Sequence, residues 1–271
     1  MYLIIFIILC ALGLPVVGSL TFWPVQHWYD FYIPIVLLIA GFIGGIIIEF
    51  IVVGIISLCV NSKKDRQKPS KWAYFWLSQG IKCINYFSSV DCKVIGANKL
   101  PKNKKFVLVC NHRSNYDPMI LIEKFSIKQI AFISKESNLK IPMVGALLRA
   151  SCYQGINRES KEESLEIFKK CTDFVRNGVL SIGVFPEGTR QREEIIGPFH
   201  EGVFNIAIHG KAPLVICALK GTEKIKGRAP FRRTKIVLKV IGVVEADELE
   251  NHTAKSISDL SKDLMTEWLS E

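Results

Sequence analysis

The first sixty residues contain no Lys and no Arg, and only Asp30 and Glu49 among them are charged. That block carries −2, which leaves +12 on the remainder of a chain whose net charge is +10. An apolar head joined to a basic body points to a membrane, an anionic substrate, or both. The head holds two apolar runs, residues 1–20, interrupted by Pro15, and residues 33–60. At 1.5 Å per residue the second run reaches about 42 Å as a helix, longer than a bilayer's hydrocarbon core. Between the runs, Phe22, Trp23, Pro24, Trp28, Tyr29, Phe31 and Tyr32 form the kind of aromatic cluster that settles at a headgroup boundary. A cleaved signal peptide carries positive charge ahead of its apolar stretch, and Met-Tyr-Leu has none. Residues 1–60 are therefore expected to be a membrane anchor of two apolar helices, either two spans or a re-entrant hairpin. Glu49 is expected to face the partner helix or water, since lipid would not solvate it.

Lys63, Lys64, Arg66, Lys68 and Lys71 follow the second run, with Asp65 the one acid among them. The positive-inside bias puts this flank, and all that follows, in the cytoplasm. Residues 61–90 read as this basic flank plus an amphipathic helix, with Trp72, Phe75, Trp76, Ile84 and Phe87 at three- and four-residue spacing. Two readings of that helix stand together: packing on the core, or lying on the membrane surface.

From residue 91 to 271 short apolar runs alternate with helical patterns. Strands are expected at 94–96, 106–110, 130–134, 179–185, 213–219 and 235–243, and helices near 118–125, 139–149, 160–176, 201–209 and 253–269. This alternation predicts an α/β domain, a mixed sheet flanked by helices. The eight cysteines are scattered, without a Cys-x-x-Cys, and the five histidines lack ligand spacing. No bound metal is expected, and the thiols read as reduced and buried. The basic residues are dispersed and no recognition motif appears, so nucleic acid is not an expected partner.

Four basic residues end expected strands, where open α/β sheets bind ligands. In Phe106-Val-Leu-Val-Cys-Asn-His112-Arg-Ser-Asn-Tyr-Asp117-Pro118 an apolar strand runs straight into His112. On one continuous helix His112 and Asp117 would point about 140° apart, so they meet only if the chain turns between them. Asp117-Pro118 also suits a helix N-cap followed by Pro at the first helical position. A His held by a carboxylate can take a proton from a hydroxyl. In Val184-Phe-Pro-Glu-Gly-Thr-Arg190, Gly188 lets backbone amides approach an anion and Arg190 offers a planar fork for phosphate oxygens. Glu187 either orients that Arg or accepts a substrate hydroxyl. Lys135 and Arg158 end two further strands. The run from Lys220 to Lys235 holds seven cations against one acid, Glu223, and reads as a solvated loop or as a contact for anionic headgroups or an acyl carrier.

Asn111-His112-x-x-x-x-Asp117, Gly155-Ile-Asn-Arg158 and Phe185-Pro-Glu-Gly-Thr-Arg190 stand in the order and spacing of the glycerolipid acyltransferase family. Over residues 90–225 the chain resembles the 1-acylglycerol-3-phosphate acyltransferases. Ser134-Lys135-Glu136, Ile141-Pro-Met-Val-Gly145 and the strand around Pro213 are also similar. The resemblance implies that His112 and Asp117 form a catalytic dyad. It implies that Lys135, Arg158, Glu187, Gly188, Thr189 and Arg190 bind the substrate's glycerol phosphate. The implied reaction moves an acyl chain from acyl-CoA or acyl carrier protein to the sn-2 hydroxyl of lysophosphatidate, without cofactor or metal. The fourth family block is often Pro-rich, whereas Ala212–Leu219 holds a single Pro, which leaves donor and acceptor details open. Other acceptors, glycerol 3-phosphate or another lysophospholipid, belong to the same class. A non-catalytic tether binding lipid phosphate is the reading from a different class.

Overall fold

The computed structural model describes residues 2–22, 32–60, 66–157, 160–191 and 196–271. Two units emerge, residues 1–61 and 62–271. In the first, α1 (Tyr2–Phe22) and α2 (Tyr32–Cys59) pack on each other. Gly41 and Gly45, four apart on α2, make the close approach possible. A Cβ on Gly41 would lie 2.6 Å from the Cys10 carbonyl oxygen, and one on Gly45 would lie 3.3 Å from the Ile7 Cα. Small residues at this spacing let apolar helices approach backbone to backbone. Ile7 and Ala11 are buried in the seam, while Phe42, Ile47, Phe50 and Ile51 face outward. Among the described residues, Tyr32–Leu58 is the one helix long and apolar enough to cross a membrane. The aromatic cluster at 23–31 and Lys63, Asp65 and Lys64 lie outside the described residues.

The second unit opens with α3 (Lys71–Phe87), capped by the Ser70 hydroxyl, which accepts from the Ala73 amide. Seven strands follow: β1 (Val90–Ile95), β2 (Val107–Cys110), β3 (Ile130–Lys135), β4 (Gln154–Ile156), β5 (Ser181–Val184), β6 (Leu214–Lys220) and β7 (Thr234–Val244). They form one sheet in the order β1-β7-β6-β2-β5-β3-β4. Pairing is parallel throughout except between β6 and β7, so the sheet is mixed, as the sequence predicts. The helices are α4 (Tyr116–Lys124), α5 (Val144–Ala150), α6 (Lys161–Arg176), α7 (Asn205–Gly210), α8 (Ile225–Arg228), α9 (Ala246–Leu249) and α10 (Ala254–Ser270). One group packs as α3 with α4 and α5; another packs as α6 with α7 and α7 with α9, while α6 lies on β4 and β5 and α10 on β6. Helices on both faces explain why β2, β5 and nearly all of β6 are buried and read as unbroken apolar runs. On β7, near the sheet's edge, Thr234, Ile236, Leu238 and Val240 are buried while Lys235 is exposed.

The helix α3 packs on the body, but not through the expected stripe. Ala73, Tyr74, Leu77 and Ile81 face inward, and the Tyr74 hydroxyl accepts from the Ile130 amide at 3.2 Å. Asn85 donates to Glu123 at 2.6 Å. Trp72, Phe75 and Ile84, together with Tyr86, are exposed. This helix is apolar on two faces, and periodicity alone registers the more aromatic one.

Gly183, in β5, sits under Phe132 of β3, and a Cβ there would run into the Phe132 ring. Phe132 is 2% exposed and stacked on Phe185. Gly183→Ala is expected to cost about 1–3 kcal/mol through overpacking, read as a lower urea midpoint of the detergent-purified protein.

Candidate active site

The strands β6, β2, β5 and β3 run parallel and side by side, so their C-terminal ends open onto one edge. That edge receives His112 after β2, the turn Pro186–Arg190 after β5, Lys135 at the end of β3 and Leu219–Glu223 at the end of β6. Asn111 fixes the end of β2. Its side chain donates to the Leu219 carbonyl (3.0 Å) and accepts from the Leu219 amide (2.8 Å). It satisfies both of its neighbour's backbone groups from a position 2% exposed.

His112 is held from every side but one. Its amide donates to Glu187 Oε1 at 2.7 Å, and its carbonyl accepts from the Gln191 amide at 2.9 Å. Its ring stacks on Phe185 (centroids 4.3 Å apart, planes 23°), and Phe185 stacks on Phe132 (5.4 Å, 17°). Nδ1 lies 2.9 Å from Asp117 Oδ2. A carboxylate can only accept, so Nδ1 carries a hydrogen, and in the neutral ring Nε2 then presents its lone pair. Among the described residues Nε2 has no hydrogen-bond partner, and the side chain keeps 18% of its surface exposed.

The chain does turn between His112 and Asp117, through a bond from the Asp117 amide to the Ser114 carbonyl (3.2 Å). Oδ2 of the fully buried Asp117 also accepts from the Arg113 amide (2.6 Å) and the Ser114 amide (2.7 Å). The expected N-cap moves, however. Helix α4 starts at Tyr116, with Asn115 as its N-cap, so Asp117 lies inside the first turn. Its carboxylate spends itself on the loop before the helix, where two amides and an imidazole need an acceptor, and not on the helix's own amides.

Glu187 differs most from the expectation of substrate contact. It is 4% exposed, with Oε1 on the His112 amide and Oε2 on the Gly197 amide (3.0 Å). Burial pushes its carboxyl above the usual range, against the pull of those two amides and of nearby His112 and Arg113. Gly188 follows at φ +67°, its amide bonded to the Phe185 carbonyl at 3.0 Å. A Cβ there would lie 2.9 Å from the His200 ring, so both backbone and space demand glycine. Thr189 and Arg190 are exposed beyond the turn, and Gln191 returns to the His112 carbonyl. Lys135 is exposed at the end of β3. Arg158, two residues past β4, lies outside the described residues.

Sequence reasoning assigned no role to Asn111, Phe185 or Arg113. The Arg113 side chain is 7% exposed, with Nη1 4.0 Å from Glu223 Oε2. The signal for Asn111 was its place at a strand end. Phe185 opens the second of the quoted end motifs, but its stacking partner Phe132 lies 53 residues away, and for Arg113, whose partner Glu223 lies 110 residues away, the sequence held no signal. Glu187→Gln puts an amide NH₂ opposite one backbone N–H, and an unsatisfied buried donor costs about 1–3 kcal/mol. Arg190→Gln, at an exposed site, should stay within about 0.5 kcal/mol. Urea unfolding of the two variants side by side checks the contrast.

The sequence pattern of the Acyltransferase family matches residues 91–220, a span that holds His112, Asp117, Lys135 and Glu187 to Arg190. The chain is 25% identical to a 1-acyl-sn-glycerol-3-phosphate acyltransferase of Saccharomyces cerevisiae, across 67% of this chain and 61% of that protein. It is 29% identical to a chloroplastic 1-acyl-sn-glycerol-3-phosphate acyltransferase of Brassica napus, across 69% of this chain and 53% of that one. The matched stretch thus spans less than two thirds of the length of either relative. The fold is similar to that of PlsC, the 1-acyl-sn-glycerophosphate acyltransferase of Thermotoga maritima. The TM-score is 0.62 at 22% identity, over 81% of this chain and 86% of that one. Residues 91–220 thus resemble the Acyltransferase family in sequence pattern, and the fold that contains them is similar to that of PlsC.

Proposed function

We propose that this protein is a membrane-anchored acyltransferase that moves a fatty acyl chain from a thioester to the sn-2 hydroxyl of lysophosphatidate, giving phosphatidate. The observation that carries the reading is the His112–Asp117 pair, 2.9 Å apart, with Nε2 left open at the C-terminal edge of the sheet. The relatives from Saccharomyces cerevisiae and Brassica napus, both 1-acyl-sn-glycerol-3-phosphate acyltransferases, support the same acceptor.

In this mechanism Nε2 takes the proton of the sn-2 hydroxyl as its oxygen attacks the thioester carbonyl. A C–O bond forms and the carbonyl becomes tetrahedral. Collapse breaks the C–S bond, and the departing thiolate recovers the proton from Nε2. Asp117 keeps Nδ1 hydrogen-bonded throughout and stabilises the imidazolium. The thioester is already activated, so the reaction asks for a base and for orientation, and no resident cofactor takes part. Lys135 and Arg190 are exposed at the same edge, where they suit the acceptor's phosphate, with Arg158 as a third cation by sequence. Glu187 acts on this view through His112, by holding its backbone. Acyl-CoA or acyl carrier protein serves as donor. The basic residues 63–71 favour a cytoplasmic active site.

Thiol release by the purified protein tests the reading. Lysophosphatidate, glycerol 3-phosphate and lysophosphatidylcholine are each offered with palmitoyl-coenzyme A and with an acyl carrier thioester. Release should depend on lysophosphatidate and fall about 10²–10⁴-fold in His112→Ala. Turnover with another acceptor alone would remove the lysophosphatidate assignment, and no release from a folded protein would leave the tether. Arg190→Ala should raise KM for phosphate-bearing acceptors with kcat nearly unchanged, whereas Glu187→Gln should lower kcat with KM nearly unchanged.

A further inference from the structure

The connection between β6 and β7 holds the largest concentration of exposed charge at the active-site edge of the sheet. Between residues 222 and 235 there are six cations and one acid, Glu223. Lys224 lies 4.0 Å from Glu223 and Arg233 is paired with Asp91 at 3.2 Å. Lys226, Arg228 and Arg232 are exposed and have no ion pair among the described residues. In their midst Phe231 is 94% exposed. This is a braced segment. Ile225 is fully buried, the Arg232 amide bonds to the Arg228 carbonyl (2.8 Å), and the Ala229 amide bonds to the Ile225 carbonyl (2.9 Å). Ser89 Oγ donates to the Pro230 carbonyl at 2.6 Å, and the Thr234 amide donates to the Ser89 carbonyl at 2.9 Å. Those two bonds set the loop beside the end of α3, whose exposed side chains include Ile84 and Tyr86.

We infer that residues 226–232 form a docking foot for an anionic phospholipid surface, with Phe231 entering the headgroup–acyl boundary and Lys226, Arg228 and Arg232 meeting lipid phosphates. Charge complementarity carries the choice of partner, because each Lys or Arg near such a surface adds attraction. The aromatic separates a bilayer from an acidic protein. A carrier protein satisfies the cations alone, whereas a fully projecting Phe, on a loop braced at the end of α3 that exposes Ile84 and Tyr86, matches a boundary that is apolar below and charged above. The foot leaves from the β6 end that Asn111 clamps to the His112 loop, so it turns the active-site edge toward the lipid. It rests on surface chemistry alone and does not need the proposed reaction to be correct.

The test uses the full chain in phosphatidylcholine vesicles with and without phosphatidylglycerol. Phe231→Cys carries an environment-sensitive fluorophore, with the unsubstituted chain as the labelling blank. Ile127→Cys, 94% exposed at the opposite sheet edge, is the water-exposed reference. The label at 231 should shift to the blue and be quenched by brominated lipid in the anionic vesicles, and the label at 127 should not. Adding Arg228→Gln and Arg232→Gln should weaken this partition roughly 30-fold, at about 1 kcal/mol per cation. Water-like emission at 231 in both vesicle types would overturn the inference, and so would equal burial in neutral and anionic vesicles. A label that stays wet on vesicles yet responds to acyl carrier protein would transfer the surface to that partner. Absence of thiol release would leave every one of these readings unchanged.

Discussion

A carboxylate with almost no access to water organises the active-site edge. Glu187 bonds the amide of His112 through one oxygen and that of Gly197 through the other, joining the loop after β2 to the loop after β5. Burying a carboxylate is expensive, and two charge-assisted bonds to backbone amides offset much of that cost. The constraint runs outward from there. With its backbone fixed, His112 can stack on Phe185 and meet Asp117, and the turn that holds Glu187 delivers Arg190 to solvent three residues later.

The imidazole is the exposed end of a stack that reaches into the core, His112 on Phe185 on Phe132. Phe132 lies over Gly183, which has no side chain to push it away. Packing in the middle of the sheet therefore sets the height and tilt of the proposed base. Strand order contributes as well, since β2 lies between β6 and β5 and both neighbours send a clamp to its end. A general base gains from such rigidity, because a shift of about 1 Å in a reacting group can cost on the order of 10²-fold in rate.

Much of this was legible beforehand. The apolar runs at 106–110 and 213–219 became β2 and β6 because parallel central strands are covered on both faces and need no alternation. The helical periods at 160–176 and 253–269 emerged within a residue of their bounds as α6 and α10. His112 and Asp117 meet as a turn between them requires. The start of α4 was misplaced by local capping logic, which had no way to know that the Asp117 carboxylate would be taken up by the preceding loop. The stripe on α3 was seen and its direction was not, since hydrophobic spacing reports that a face is apolar and not what lies against it.

Read along the chain, the residues reveal the order of the main strands and longer helices, the divide between apolar head and basic body, and which residue types stand at strand ends. Those are properties of neighbours along the chain, governed by side-chain period, charge density and turn chemistry. That Glu187 faces inward, that Asn111 grips Leu219 and that Phe231 projects from a braced basic loop emerges only once the sheet is assembled. Each of these depends on groups tens of residues apart brought together by parallel strand pairing, and no local pattern encodes which distant partner a side chain will find.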